Sequence, residues 1–208
     1  EELFVLQTGL LFLKRRRRAL AGCTVKENLL DEFKKTLSFK LTGAQERVIN
    51  ECLSDMMSPR PMNRLIQGDV GSGKTAVAAA LMYISAGNGF QSALMAPTEL
   101  LAEQHFKTLC KITENSGIKC ALLTGSLTKK QKDEVKAGLK SGEIKVAVGT
   151  HALLTDDVEF ESLGLVVTDE QHRFGVGQRG RLSSKGNNPH TLVMSATPIP
   201  RTLGLIIY

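Results

Sequence analysis

Residues 68 to 75 read Gly68-Asp69-Val70-Gly71-Ser72-Gly73-Lys74-Thr75, a full match to the pattern G-x-x-x-x-G-K-[ST]. No other feature restricts the fold as strongly. Glycines let the backbone curl until several N–H groups face one point, and a helix beginning there adds its positive end. Such a loop needs a strand to deliver it and a helix to follow it. Both are legible here, as a strand candidate over 64–67 and an alanine-rich helical stretch from Gly73 onward. The flanks argue against a glycine-rich turn that matches by chance. The chemistry that suits the loop is a nucleotide polyphosphate. Gly68, Gly71, Ser72 and Gly73 form the cradle, Lys74 neutralises the β and γ phosphates, and the Thr75 hydroxyl is a hard oxygen ligand for Mg²⁺.

The rest of the chain is consistent with that demand. Further strand candidates lie at 92–96, 120–123, 145–149, 163–168 and 191–195, with helix-length segments starting near Gly73, Glu99 and Thr128. Near-continuously apolar strands separated by helices predict an α/β fold with a mostly parallel sheet covered on both faces. Ligands of such sheets bind beyond the carboxyl ends of the strands. A length of 208 residues suits one such domain plus an appendage. Leu3, Leu6, Leu10 and Leu13 at helical spacing predict a helix from Glu1 to about Ala21, ended by the basic run Lys14–Arg18. A polar amphipathic stretch then leads to Leu41. The organisation read is a helical arm and linker over 1–40 and a nucleotide-binding domain over 41–208.

Charge and cysteine usage narrow the function classes only moderately. Lysine and arginine number 27 against 21 acidic residues, a net charge of +6 that favours polyanions. Five of those cations form the run Lys14–Arg18, whose contact with duplex DNA competes with the better supported reading of a solvated helix face. The four cysteines contain no C-x-x-C pair, which argues against a zinc site. The apolar stretch Leu3–Leu13 is too short to span a bilayer and precedes its basic residues, the reverse of a secretion signal, so a cytoplasmic protein without a membrane partner is expected.

A second motif supplies the carboxylates. The apolar run 163–168 delivers Asp169 and Glu170 to the sheet edge, where Asp169 would hold the metal through its water shell and Glu170 would orient and deprotonate the attacking water. Alone, such a pair is more often a solvated loop start or a helix cap. The phosphate loop earlier in the chain makes it informative.

Taken in order, the motifs resemble the first motor domain of superfamily 2 helicases, and within them the RecG family of branch-migration helicases. The resemblance rests on LTGAQ at 41–45, MNRLIQGDVGSGKT at 62–75, MAPTELLAEQH at 95–105 and LLTGS at 122–126. VGTHALL at 148–154, DEQHRFGVGQR at 169–179 and MSATPIPRTL at 194–203 complete it. It runs from Leu41 onward, and the leading helix is similar to the arm that precedes this domain in RecG. The transcription-repair coupling factors share GDVG, HRFGV and ATPIPRTL, while Gln171 in DEQH, GSGKT and MAPTELLAEQH favour RecG.

The resemblance implies a RecA-like fold with ATP and Mg²⁺ as ligands, and gives the remaining motifs roles. Gln45 would read the adenine edge, beside the plainer reading of a helix-start glutamine. Pro97-Thr98-Glu99, Thr124-Gly125-Ser126 and Gly149-Thr150-His151 would hold the backbone of one DNA strand. His172, Arg173, Gln178, Arg179, Ser195 and Thr197 would couple the ATP site to DNA movement, with a structural histidine as the alternative for His172. The implied partners are branched or forked DNA, a second RecA-like domain bearing an arginine finger, and a wedge domain. Neither domain is recognisable in these 208 residues, so the expectation is a fragment with very slow hydrolysis, or a nucleotide and DNA binding module without turnover. A small-molecule kinase or GTPase is disfavoured, since no N-K-x-D loop is present and the helicase motifs would have no use.

Overall fold

The structure is a computed structural model that describes residues 22–114, 116–169 and 181–196. The arm helix expected over 1–21 lies outside these residues. Strands β1 (Asn63–Gln67), β2 (Gln91–Met95), β3 (Cys120–Leu123), β4 (Val146–Gly149), β5 (Leu163–Asp169) and β6 (His190–Ser195) form one sheet, ordered β1-β6-β5-β2-β4-β3. Every neighbouring pair is parallel. All six expected strands are present, each bounded within a residue of its sequence-read limits.

The apolar runs produce this sheet because alternate side chains need cover on opposite faces. In β4, Val146 and Val148 enter one core with Leu94 of β2 and Leu165 and Val167 of β5, while Ala147 enters the other with Ala93, Met95 and Val166. Strands β2, β4 and β5 are buried at every position, whereas the edge strands β1 and β3 are only partly covered.

Helices α1 (Leu30–Thr36), α2 (Gly43–Met56), α3 (Lys74–Gly87), α4 (Glu99–Thr113) and α5 (Lys129–Lys140) supply the cover. Helix α2 starts at a capping box, with Thr42 Oγ1 accepting the Gln45 N–H at 3.3 Å and Gln45 Oε1 accepting the Thr42 N–H at 2.9 Å. Its stripe Ile49, Cys52, Leu53 and Met56 is buried. Helix α3 is buried on nearly all sides, which its small alanines permit. Helix α4 turns Ala102, His105, Leu109 and Ile112 inward.

Part of the segment ahead of Leu41 shares this core. Val25, Leu30 and Phe33 are buried in it, and the Phe33 ring lies 5.5 Å from that of Tyr83. Buried His190 fastens the segment to the sheet. Its Nδ1 accepts the Met62 N–H at 2.9 Å and its Nε2 bonds the Cys23 carbonyl. Neutral imidazole alone can do both, and burial pulls the His190 pKa below its ordinary value. Buried Gln91 is likewise fully engaged: Nε2 donates to the carbonyls of Leu139 (2.8 Å) and Ile144 (2.7 Å), and Oε1 accepts the Ser162 N–H at 2.9 Å.

Candidate nucleotide-binding site

Strand order brings the motifs together. In register, Gln67 of β1 pairs with Ser195 of β6, and Met194 of β6 pairs with Asp169 of β5. The loop after β1, the end of β6 and the end of β5 therefore lie side by side on the carboxyl edge. One ladder bond continues past β1, from the Gly68 N–H to the Ser195 carbonyl at 3.2 Å.

The loop itself has the expected geometry. Gly71 and Gly73 take left-handed backbone angles, φ 83° and 82°. At Gly73 an added Cβ would also stand 2.2 Å from Gln45 Nε2, so the glutamine amide would have to move. Helix α3 begins at Lys74, so its first N–H groups face the loop. Lys74 Nζ folds back across the loop to donate to the carbonyls of Gly68 (2.7 Å) and Asp69 (2.9 Å). Both acceptors are neutral, so a phosphate oxygen would be the stronger partner for this ammonium. The donor set fits Mg-nucleotide: an ammonium and a helix N-terminus for phosphates, and the Thr75 hydroxyl with the Asp169 carboxylate as hard oxygens for the metal.

Gln45 sits against the same loop. Its Nε2 donates to the Ser72 carbonyl at 3.0 Å while its Oε1 closes the capping box. An amide has two N–H groups and two lone pairs, so one of each remains for a ligand.

Asp169 has a partner that sequence reasoning did not assign. Its Oδ2 lies 2.7 Å from His105 Nε2, with both side chains largely buried. The available signal was a polar residue on the inward stripe Ala102-His105-Leu109, where an apolar one would be ordinary.

The three motifs with expected backbone-contact roles form a second cluster at the carboxyl ends of β2, β4 and β3, which are adjacent. Thr98 caps α4, its Oγ1 accepting the Leu101 N–H at 3.3 Å. Glu99 Oε1 accepts the Ser126 N–H at 3.2 Å. Hydrogen bonds from the Ser126 side chain first, then from the Ser126 and Gly125 backbone, hold the Glu99 carboxyl below the usual carboxylate range, and nearby His151 adds to this. Thr98, Gly125, Ser126 and His151 are exposed, whereas Thr124, Gly149 and Thr150 are buried. At Gly149 the backbone of β3 leaves no room for a side chain, with 2.2 Å between a built Cβ and the Leu123 carbonyl. The Thr124 hydroxyl is shared with Ser126 at 3.0 Å. Glu170, His172, Arg173, Gln178, Arg179 and Thr197 lie outside the described residues. No helix among the described residues is long and apolar enough to cross a membrane.

The chain is similar to known proteins. The family model for DEAD/DEAH box helicases matches residues 42–206. The ATP-dependent DNA helicase RecG of Thermotoga maritima is 49% identical over 210 residues, covering 100% of this chain and 27% of that protein. Its counterpart in Aquifex aeolicus is 52% identical over 212 residues, with 100% and 27% covered. A solved structure of RecG bound to a three-way DNA junction superimposes with a TM-score of 0.86 at 47% identity, over 100% of this chain and 28% of that one. The chain thus spans about a quarter of the length of the relatives it matches.

Proposed function

The chain belongs to the DEAD/DEAH box helicase family, and from that premise we propose that it is the ATP-binding motor domain of a RecG-type DNA helicase acting on branched DNA. The observation that carries this reading is the meeting of the phosphate loop, Gln45 and Asp169 on one sheet edge, next to the Thr98, Gly125 and His151 cluster. Fork reversal and branch migration in recombination and repair, inside the cytoplasm, are the processes this assignment implies.

Each residue has a task in this proposal. Lys74 exchanges its loop carbonyls for β and γ phosphate oxygens, and loop N–H groups hold the same oxygens. Gln45 uses its remaining N–H and lone pair on adenine while keeping hold of Ser72. Thr75 and Asp169 hold Mg²⁺, which when bound neutralises charge developing on the phosphates. Glu170 orients the attacking water and takes its proton. On the neighbouring edge Thr98, Gly125, Ser126 and His151 present hydroxyl, amide and imidazole groups to a DNA backbone, which positions a strand without reading its sequence. Thr124, Gly149 and Thr150 shape that edge from below. His172, Arg173, Gln178, Arg179, Ser195 and Thr197 relay between the two edges.

The other domains of the parent protein complete the motor in this reading. A second RecA-like domain closes over ATP with an arginine finger, a contribution worth about 10³ to 10⁵ in rate in related phosphoryl transfer, and a wedge domain engages the junction. The chain alone is then expected to bind Mg-ATP and hydrolyse it very slowly. ATP hydrolysis and equilibrium binding of a fluorescent ATP analogue, with and without three-way-junction DNA and with a Lys74→Ala control, test this. Binding that Lys74→Ala abolishes, with slow turnover, supports the reading. Robust DNA-stimulated turnover would show that the site closes another way, and absence of binding would overturn the nucleotide assignment.

A further inference from the structure

Helix α4 connects the two edges of the site. Its first residues, Glu99 with the cap Thr98, belong to the backbone-contact cluster, and His105, six residues on, reaches Asp169. At about 1.5 Å per residue the two points are roughly 9 Å apart on one rigid rod. His105 is 9% exposed, so water does not substitute for its contact. An ionised carboxylate is acceptor-only, hence His105 Nε2 carries the hydrogen and donates it to Oδ2.

We infer that His105 is a positioning residue for the metal site: its Nε2–H fixes the rotamer of Asp169 and leaves Oδ1 as the oxygen for the water shell of Mg²⁺. This rests on the nucleotide-site reading above and extends it to a residue that touches neither nucleotide nor metal. Three observations favour a positioning role over a histidine merely satisfied in the core. The bond is short at 2.7 Å, it lands on the one described carboxylate that ends a central strand beside the phosphate loop, and it comes from the helix whose N-terminus belongs to the other edge. Partners that orient a ligating group are typically worth about 10- to 100-fold in metal affinity or activity.

The experiment is Mg²⁺ titration of fluorescent ATP-analogue binding to the 208-residue chain, for the wild type, His105→Leu, His105→Gln and His105→Asn, with folding followed by circular dichroism. The glutamine amide can place an N–H near the position of Nε2, whereas the asparagine amide stops short. The expected result is a Mg²⁺ half-saturation raised about 10- to 100-fold in His105→Leu and His105→Asn, and restored toward wild type in His105→Gln. A folded His105→Leu with unchanged Mg²⁺ dependence overturns the inference. Should His105→Leu fail to fold, equal behaviour of the glutamine and asparagine variants overturns it instead. A wild type without Mg²⁺-dependent nucleotide binding refutes the nucleotide-site reading itself, and this inference with it, which separates the two failures.

Discussion

Gly73→Ala tests the loop geometry most directly. Gly73 has φ 82° and ψ 26°, and a Cβ there would stand 2.2 Å from Gln45 Nε2 and 3.3 Å from Gln45 Cδ. Gly71 has nearly the same φ, 83°, but nothing within 4 Å of an added Cβ. Gly71→Ala therefore carries only the left-handed penalty, about 1–2 kcal/mol. Gly73→Ala carries that penalty and also expels the Gln45 amide from the Ser72 carbonyl, a further ~1 kcal/mol for the lost hydrogen bond. The sum is about 2–3 kcal/mol, or roughly 5 to 10 °C in the melting temperature of a chain this size. Thermal unfolding of Gly71→Ala, Gly73→Ala, Gln45→Ala and the Gly73→Ala/Gln45→Ala double variant checks it. Because Gln45→Ala already removes both the clash and the Ser72 bond, the double variant is expected to lose about 1 kcal/mol less than the sum of the singles. Strict additivity, with Gly73→Ala no worse than Gly71→Ala, would refute the reasoning.

Three further outcomes follow from contacts elsewhere in the fold. Gln91→Leu strands the Ile144 carbonyl and the Ser162 N–H, while the Leu139 carbonyl keeps the Gly142 and Glu161 N–H groups, so urea denaturation is expected to show a loss of about 2–4 kcal/mol with an unchanged slope. His190 is held neutral by burial, with its folded pKa below the unfolded value of about 6.5. The unfolded state therefore binds its proton first as pH falls. Its contribution is complete above about pH 6.5 and declines below it by up to ~1.4 kcal/mol per pH unit until the folded pKa is passed. His190→Leu should remove that part of the stability-against-pH curve, and an unchanged curve would contradict the assignment. Arg64 bonds Asp55 at 2.6 Å and Glu51 at 2.8 Å, but all three side chains are at least a third exposed. Arg64→Met should therefore cost no more than about 1 kcal/mol, and denaturation in 0.5 M salt, a concentration of about this order being enough to screen such pairs, should shrink the difference.

Local chemistry explains how much of this protein was legible in advance. The phosphate loop and the strand limits are short-range patterns, because backbone curl and alternate burial each involve residues a few positions apart. The expected strand limits agree with the sheet to within a residue for that reason. Parallel sheets, by contrast, are assembled from distant segments, and no local pattern names the neighbour of a strand. Only the tertiary structure decided that β6 stands between β1 and β5, which sets Asp169 near the loop. The same holds for Gln45 on Ser72, Glu99 on Ser126 and His190 on Met62, pairs 27, 27 and 128 residues apart. Helical spacing could show that His105 faces inward. That its partner is Asp169, 64 residues later, depended on how α4 packs against the whole core, which no local pattern sets.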